Sequence, residues 1–226
     1  MLELDRDITL ALNGSDNLFW DNLMMTITNT WSWTLVIITM LIIIFKNNDI
    51  REFCLILISM ILMIVVADRL CSGLIKPMVA RWRPTQDPQI MYLVDIVDGY
   101  RGGRFGFFSG HSCNTFCMAT FIALLFRDKI ASIVYYLWAA TTTYTRIYLG
   151  VHYFGDVLVG MLVGCFLGVV FYVIYDKLRL RLGSVRVTSD KFTATGYLKT
   201  DIHTLLTVIF FNYILLVIIS TIKGVF

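Results

Sequence analysis

Arg104-Phe105-Gly106-Phe107-Phe108-Ser109-Gly110-His111-Ser112 marks the point where a polar, glycine-broken segment gives way to an uncharged run. That run, residues 112–126, has no Asp, Glu, Lys or Arg and reads as a membrane helix. Ser109, Gly110 and His111 therefore stand at a helix N-terminus. Free backbone N–H groups and the positive end of the helix dipole gather there, a setting that suits an anion. Gly110 has no Cβ, so a ligand can approach the backbone closely. His111 can give or take a proton near neutral pH.

The composition around this stretch is that of a protein dissolved in lipid. Of 226 residues, 58% are hydrophobic and 15% charged, which is too apolar for a soluble domain of this size. The expectation is one all-α polytopic membrane domain over 1–226. The formal net charge of +3 is small and the basic residues are scattered, which excludes a nucleic-acid surface. Cys54, Cys71, Cys113, Cys117 and Cys165 all lie in apolar runs without a C-x-x-C pair, so they read as small apolar fillers. Glu3, Asp5 and Asp7 argue against a cleavable signal peptide.

Hydropathy divides the chain into an amphipathic interfacial helix and about six spans. Residues 1–20 place Leu4, Ile8 and Leu12 at helical spacing, with Asn13-Gly14 as a stop and Phe19 and Trp20 as interfacial anchors. The expected spans are 22–45, 53–75, 112–126, 130–145, 154–175 and an additional C-terminal one at 202–222. Asp68 and Arg69 fall inside the second, either as a structural ion pair or with Asp68 orienting Lys76. Residues 76–108 form the long non-apolar loop of the first half, and 146–152 a second loop. In the fifth span Gly160, Gly164 and Gly168 recur every four residues, a stripe against which another helix packs closely. His203 receives no role.

Two further stretches flank the first. Upstream lies Lys76-Pro77-Met78-Val79-Ala80-Arg81-Trp82-Arg83-Pro84, and downstream Arg146-Ile147-Tyr148-Leu149-Gly150-Val151-His152-Tyr153-Phe154-Gly155-Asp156. The three together resemble the signature of the phosphatidic acid phosphatase type 2 superfamily. Its pattern is Lys, six residues, Arg-Pro; then Pro-Ser-Gly-His; then Arg, five residues, His, three residues, Asp. Lys76, Arg83-Pro84, Ser109-Gly110-His111, Arg146, His152 and Asp156 match it. Phe108 stands where the family most often has Pro, and Thr145 where a Ser often precedes the Arg. The likeness runs from about Asp5 to Val170.

The residue chemistry agrees with that resemblance. Arg83 and Arg146 each offer a planar fork to phosphoryl oxygens and Lys76 a point charge, with Ser109 and the Gly110 N–H as neutral donors. His152 and Asp156 are four apart and share a helix face, so a carboxylate can fix the imidazole tautomer. The resemblance implies His152 as nucleophile through a phosphohistidine, Asp156 as its orienter and His111 as the acid for the leaving oxygen. It implies Lys76, Arg83, Ser109, Gly110 and Arg146 as phosphoryl-binding residues. No metal or other cofactor is implied, since the motifs hold no carboxylate cluster for Mg²⁺.

The function so implied is an integral membrane lipid phosphatase acting on a phosphate or diphosphate monoester. Undecaprenyl diphosphate, phosphatidylglycerophosphate, phosphatidate and lipid A are the candidate substrates, with a polyprenyl diphosphate slightly favoured. A lipid phosphotransferase using the same intermediate and a non-enzymatic channel or transporter are the alternatives. The compact length resembles bacterial members. Lys46, Arg51, Arg127, Lys129, Lys177, Arg179, Arg181, Arg186, Lys191 and Lys199 fall on the side opposite the motif regions 76–111 and 146–156. The positive-inside rule then sets those regions outside the cytoplasm, facing the periplasm or exterior from a cytoplasmic (inner) membrane. Trp82, Tyr92, Tyr100, Phe105, Phe107 and Phe108 crowd the site, so the lipid tail is expected to stay in the bilayer and enter between helices. The oligomeric state is left open.

Overall fold

A computed structural model describes residues 2–15, 17–182 and 189–225; Arg186 of the basic set lies outside them. Among the described residues the chain is helical, with two isolated bridges, Trp82–Phe105 and Phe192–Leu198, and no strand. Four helical runs are long and apolar enough to cross a bilayer: Thr30–Asn47, Ile50–Val79, Phe154–Arg181 and Lys199–Gly224. The protein is an all-α polytopic membrane protein.

Helix α1 (Leu2–Leu12) ends at Asn13 and at Gly14, whose φ of +60° is a left-handed conformation that favours glycine. Phe19 and Trp20 do not extend α1. They open α2 (Leu18–Thr28), where the Asn17 side chain accepts from both of their N–H groups. The expected span 22–45 is broken. Asn29 leaves the helical conformation and caps a 3₁₀ turn, Thr30–Trp33, by accepting from Trp31 N–H. The chain then resumes as α3 (Thr34–Asn47), and Trp33 Nε1 donates to Ile27 O at 2.9 Å across the break. Asn favours a cap over a helix interior, a preference that hydropathy does not register.

The second span runs further than expected. Helix α4 (Ile50–Asp68) continues through a π-helical segment, Arg69–Ile75, into α5 (Lys76–Val79). Lys76 N–H reaches back five residues to Cys71 O, and Ala80 at φ +49° ends the run. Lys76 is thus a helical residue rather than the first of a loop. Asp68 and Arg69 are exposed on the outer face. Ser72 donates to Asp68, and among the described residues Asp68 forms neither an ion pair with Arg69 nor a hydrogen bond with Lys76.

The centre of the bundle is α6 (Gly110–Phe126), between α7 (Lys129–Tyr148) and α8 (Phe154–Arg181). Cys113, Cys117, Phe121 and Phe126 on α6 are fully buried. The glycine stripe is the reason α8 lies so close. A Cβ at Gly160 would meet Ser109 O at 2.6 Å, one at Gly168 would meet Cys117 O at 2.7 Å, and one at Gly164 would strike Cys113 O. Arg146 sits in the last turn of α7, not in a loop, because the helix persists to Tyr148 and stops at Gly150 (φ +66°). Helix α9 (Lys199–Val225) packs on α2 and α3. Cys71, Cys113 and Cys117 are buried and Cys165 partly so, whereas Cys54 faces outward and fills nothing. His203 is exposed.

Candidate active site

The α6–α8 contact brings the second and third motifs together. Ser109 is the N-cap of α6: its hydroxyl accepts from Ser112 N–H, and its own N–H donates to Asp156 O at 2.9 Å. Gly110 opens the helix where a Cβ would come within 3.2 Å of Cys71 Sγ and 4.0 Å of Lys76 Nζ. Glycine here keeps the helix end open to the Lys76 ammonium. Phe108, in the family's proline position, is buried in the core, and its carbonyl accepts from Cys71 Sγ at 3.1 Å.

His152 lies in the short connection between α7 and α8, buried to 2% exposure. Arg83 Nη1 donates to Val151 O at 2.9 Å and approaches His152 Nε2 at 3.3 Å. A guanidinium has no acceptor, so Nε2 carries the lone pair and Nδ1 the proton. Nδ1 points to Asp156 Oδ2 at 3.6 Å, longer than a hydrogen bond. Burial first, then the charges of Arg83, Arg146 and Lys76, hold the His152 pKa well below the ordinary histidine value. The imidazole is neutral, with its lone pair among cations.

Arg146 Nη1 donates to Thr28 Oγ1 at 2.7 Å and Nη2 to Tyr100 OH at 3.0 Å. Burial raises the Tyr100 pKa, but Arg146 beside it outweighs this and the net shift is downward. Arg83 and Arg146 are 7% and 6% exposed, and each keeps an Nε with no partner among the described residues. None of Arg83, Arg146 and Lys76 has a carboxylate within ion-pair distance there. Burial, then Arg146, lowers the Arg83 pKa, as expected of like charges held together. His111, in the first turn of α6, lies at the edge of a cavity of about 400 Å³.

Arg81 belongs to the first motif stretch, but its spacing gave it no role. Its Nη1 donates to Asp156 Oδ1 and its Nη2 to Asp5 Oδ2, both at 2.7 Å. It also stacks 3.9 Å above the Tyr153 ring. Burial opposes its charge, and the two carboxylates outweigh that, raising its pKa. Asp5 Oδ1 in turn accepts from Gly155 N–H at 2.7 Å, and Thr9 Oγ1 from Phe154 N–H at 3.0 Å. Helix α1 therefore caps α8 from outside the helix, at the turn that carries Asp156. Gly106 completes this corner, since a Cβ there would lie 2.8 Å from Asp156 Oδ2.

The bundle gathers these three motifs at one end, and the chain, which matches the PAP2 superfamily over residues 52–180, belongs to that superfamily. It is 40% identical to a lipid A 4'-phosphatase of Bacteroides thetaiotaomicron over 183 residues, 80% of this chain and 81% of that protein. It is 34% identical to a lipid A 4'-phosphatase of Porphyromonas gingivalis over 181 residues, 80% and 77% of the two chains. The crystal structure of Aquifex aeolicus LpxE shares the fold at a TM-score of 0.56 and 21% identity, covering 74% of this chain and 94% of that one.

Proposed function

We propose that the chain removes a phosphate monoester from lipid A or a closely similar acylated lipid, through a phosphohistidine on His152. As a PAP2 protein with lipid A 4'-phosphatases as relatives, it is a membrane lipid phosphatase, a phosphoric monoester hydrolase. Of the substrates the motifs leave open, the relatives' names favour lipid A over a polyprenyl diphosphate.

The observation that carries the mechanism is two buried guanidiniums, Arg83 and Arg146, and the half-buried Lys76 ammonium, with no carboxylate in ion-pair distance among the described residues, around a neutral imidazole. Uncompensated charge in low dielectric is costly, and a phosphate dianion relieves it. The unpartnered Nε groups of Arg83 and Arg146, the Lys76 ammonium and the Gly110 N–H take the phosphoryl oxygens, with Ser109 beside them. His152 Nε2 attacks phosphorus, and Asp156 takes up the charge that develops at Nδ1–H. His111 gives its proton to the leaving oxygen. It then withdraws a proton from the water that cleaves the phosphohistidine and frees inorganic phosphate. The single domain over 1–226 crosses the membrane six times, α6 and α7 adding to the four long runs, with the site facing the periplasm or exterior.

The test is phosphate release by the purified protein from lipid A that carries or lacks the 4'-phosphate. Undecaprenyl diphosphate, phosphatidylglycerophosphate and phosphatidate run in parallel. The expected result is fastest release from the 4'-phosphorylated lipid A without an added acceptor. Release that requires an acceptor lipid makes the protein a phosphotransferase; release confined to another lipid removes the lipid A reading.

A further inference from the structure

Helix α1 lies outside the matched region 52–180, yet side chains that it turns inward end at Arg81 or at the start of α8. Asp5 accepts from Gly155 N–H, and Thr9 Oγ1, fully buried, accepts from Phe154 N–H. Gly155 makes room for Asp5, since a Cβ there would lie 3.0 Å from Asp5 Oδ2. Arg6 Nη2 donates to Asp87 Oδ2 at 3.2 Å, and the same oxygen accepts from Tyr153 OH at 2.6 Å. Tyr153 is the ring over which the Arg81 guanidinium stacks.

The fork of Arg81 is divided between two carboxylates. A guanidinium commonly takes both oxygens of one carboxylate through two parallel N–H···O bonds. Arg81 instead gives Nη1 to Asp156 Oδ1 and Nη2 to Asp5 Oδ2, each at 2.7 Å. Asp156 Oδ2 is left to accept from Tyr153 N–H at 3.2 Å and to face His152 Nδ1 at 3.6 Å. Asp156 is fully buried, where low dielectric strengthens each of these contacts.

We infer that Asp5 is a positioning residue for the reaction: by holding Nη2 of Arg81 it keeps Asp156 Oδ2 free for His152 Nδ1–H. The inference rests on the phosphohistidine reading and adds to it a helix from outside the matched region. The Tyr153 ring keeps the guanidinium in its plane, and Asp5 sets its rotation within that plane. Without the Asp5 charge, Nη2 turns to Asp156 Oδ2 and Arg81 takes both oxygens. The charge that develops at Nδ1–H as Nε2 attacks phosphorus then loses its partner. Arg83, Arg146 and Lys76, which take the phosphate, stand outside this chain of contacts. The loss therefore falls on kcat and spares KM.

The experiment measures kcat and KM of the full-length protein in detergent micelles with 4'-phosphorylated lipid A, and the Tm of each variant. Asp5→Asn keeps an acceptor for Gly155 N–H and removes the charge that faces Arg81. It should lower kcat about 10-fold and leave KM within about twofold. Asp5→Glu keeps the charge and should stay within about threefold of the wild type. Thr9→Val removes the other cap on α8 without touching Arg81, so Tm should fall while kcat stays within about twofold. A lysine has no fork to divide, so adding Asp5→Asn to Arg81→Lys should change kcat less than about twofold.

An unchanged kcat in Asp5→Asn, an equal loss in Thr9→Val, or losses that multiply when Asp5→Asn joins Arg81→Lys overturn the inference and leave the phosphatase reading standing. A loss of about 10-fold in Asp5→Glu overturns it too, and that test remains if Asp5→Asn does not fold. No release by the wild type removes the phosphatase reading and this inference with it.

Discussion

Arg83 and Arg179 are buried alike, 7% and 5% exposed, at opposite ends of the bundle, and they keep opposite company. Arg179 lies 3.2 Å from Asp176 and 3.9 Å from Glu52, whose Oε1 also accepts from Tyr175 OH at 2.6 Å. Nearby, Lys46 reaches Asp201 at 2.7 Å. The buried arginine at that end is matched by carboxylates. At the other end Arg83, Arg146 and Lys76 converge on His152 without a carboxylate within 4 Å among the described residues. A matched buried ion holds helices together, and removing one partner strands the other. An unmatched set works against folding, a cost that the phosphate of the proposed mechanism would offset. Burial does not tell Arg83 from Arg179; the presence of a counter-ion does.

The largest break in that comparison comes from His152→Ala. It removes the atom around which the unmatched charges gather, so turnover should fall by about 10⁴-fold or more. Phosphate release is the readout, and near-normal activity would remove the covalent mechanism.

Next is the paired exchange Arg83→Met and Arg179→Met. The first should cost about 10²–10³-fold in kcat/KM with thermal stability unchanged or raised. The second should destabilise by about 3 kcal/mol with near-normal turnover per folded molecule, because Asp176 and the buried Glu52 lose their contacts with the guanidinium. Arg83→Met has a pH signature as well. Burial and the neighbouring cations hold the His152 pKa well below its ordinary value, so the free protein keeps this imidazole neutral well into acid. Removing one of those cations raises that pKa, and the acid limb of kcat/KM should move to higher pH. A limb that stays in place would detach His152 from the cluster.

Arg81→Ala comes third, at about 10–100-fold in kcat, a range usual for groups that orient a reacting residue. KM should change little, because Arg81 holds Asp156 and α1 rather than phosphate. Arg81→Lys should restore part of the loss through Asp156 alone. A KM effect equal to the kcat effect would make Arg81 a substrate ligand instead.

Labelling is the smallest perturbation. With reactive native cysteines removed, Gln86→Cys should react with a membrane-impermeant thiol reagent in intact cells and Ser189→Cys should not. The reverse pattern would place the unmatched end in the cytoplasm.

These two ends were not equally legible in the sequence. The family resemblance picks out Lys76, Arg83 and Arg146, and the stripe Gly160, Gly164, Gly168 marks the face that brings Ser109 to Asp156. Arg81 and Asp5 escape because their contact joins residues 76 positions apart and no local pattern marks either one. Tyr100 reads as one more interfacial ring, yet its hydroxyl faces Arg146. The break at Asn29 and the π-helical segment before Lys76 escape for another reason. Hydropathy reports which residues prefer lipid and is blind to a single cap or a widened turn. Tyr175 with Glu52 escapes likewise, being settled by packing between α4 and α8.

The contrast is tested most directly by thermal unfolding of the detergent-solubilised protein across a series of orthovanadate concentrations. An anion that binds the folded state at the unmatched cluster raises Tm with concentration. The prediction is a rising Tm for the wild type and for Arg179→Met from its lower baseline, and no rise for Arg83→Met. A flat wild-type curve, or an undiminished rise in Arg83→Met, would contradict the claim that the unmatched cations are the phosphoryl site.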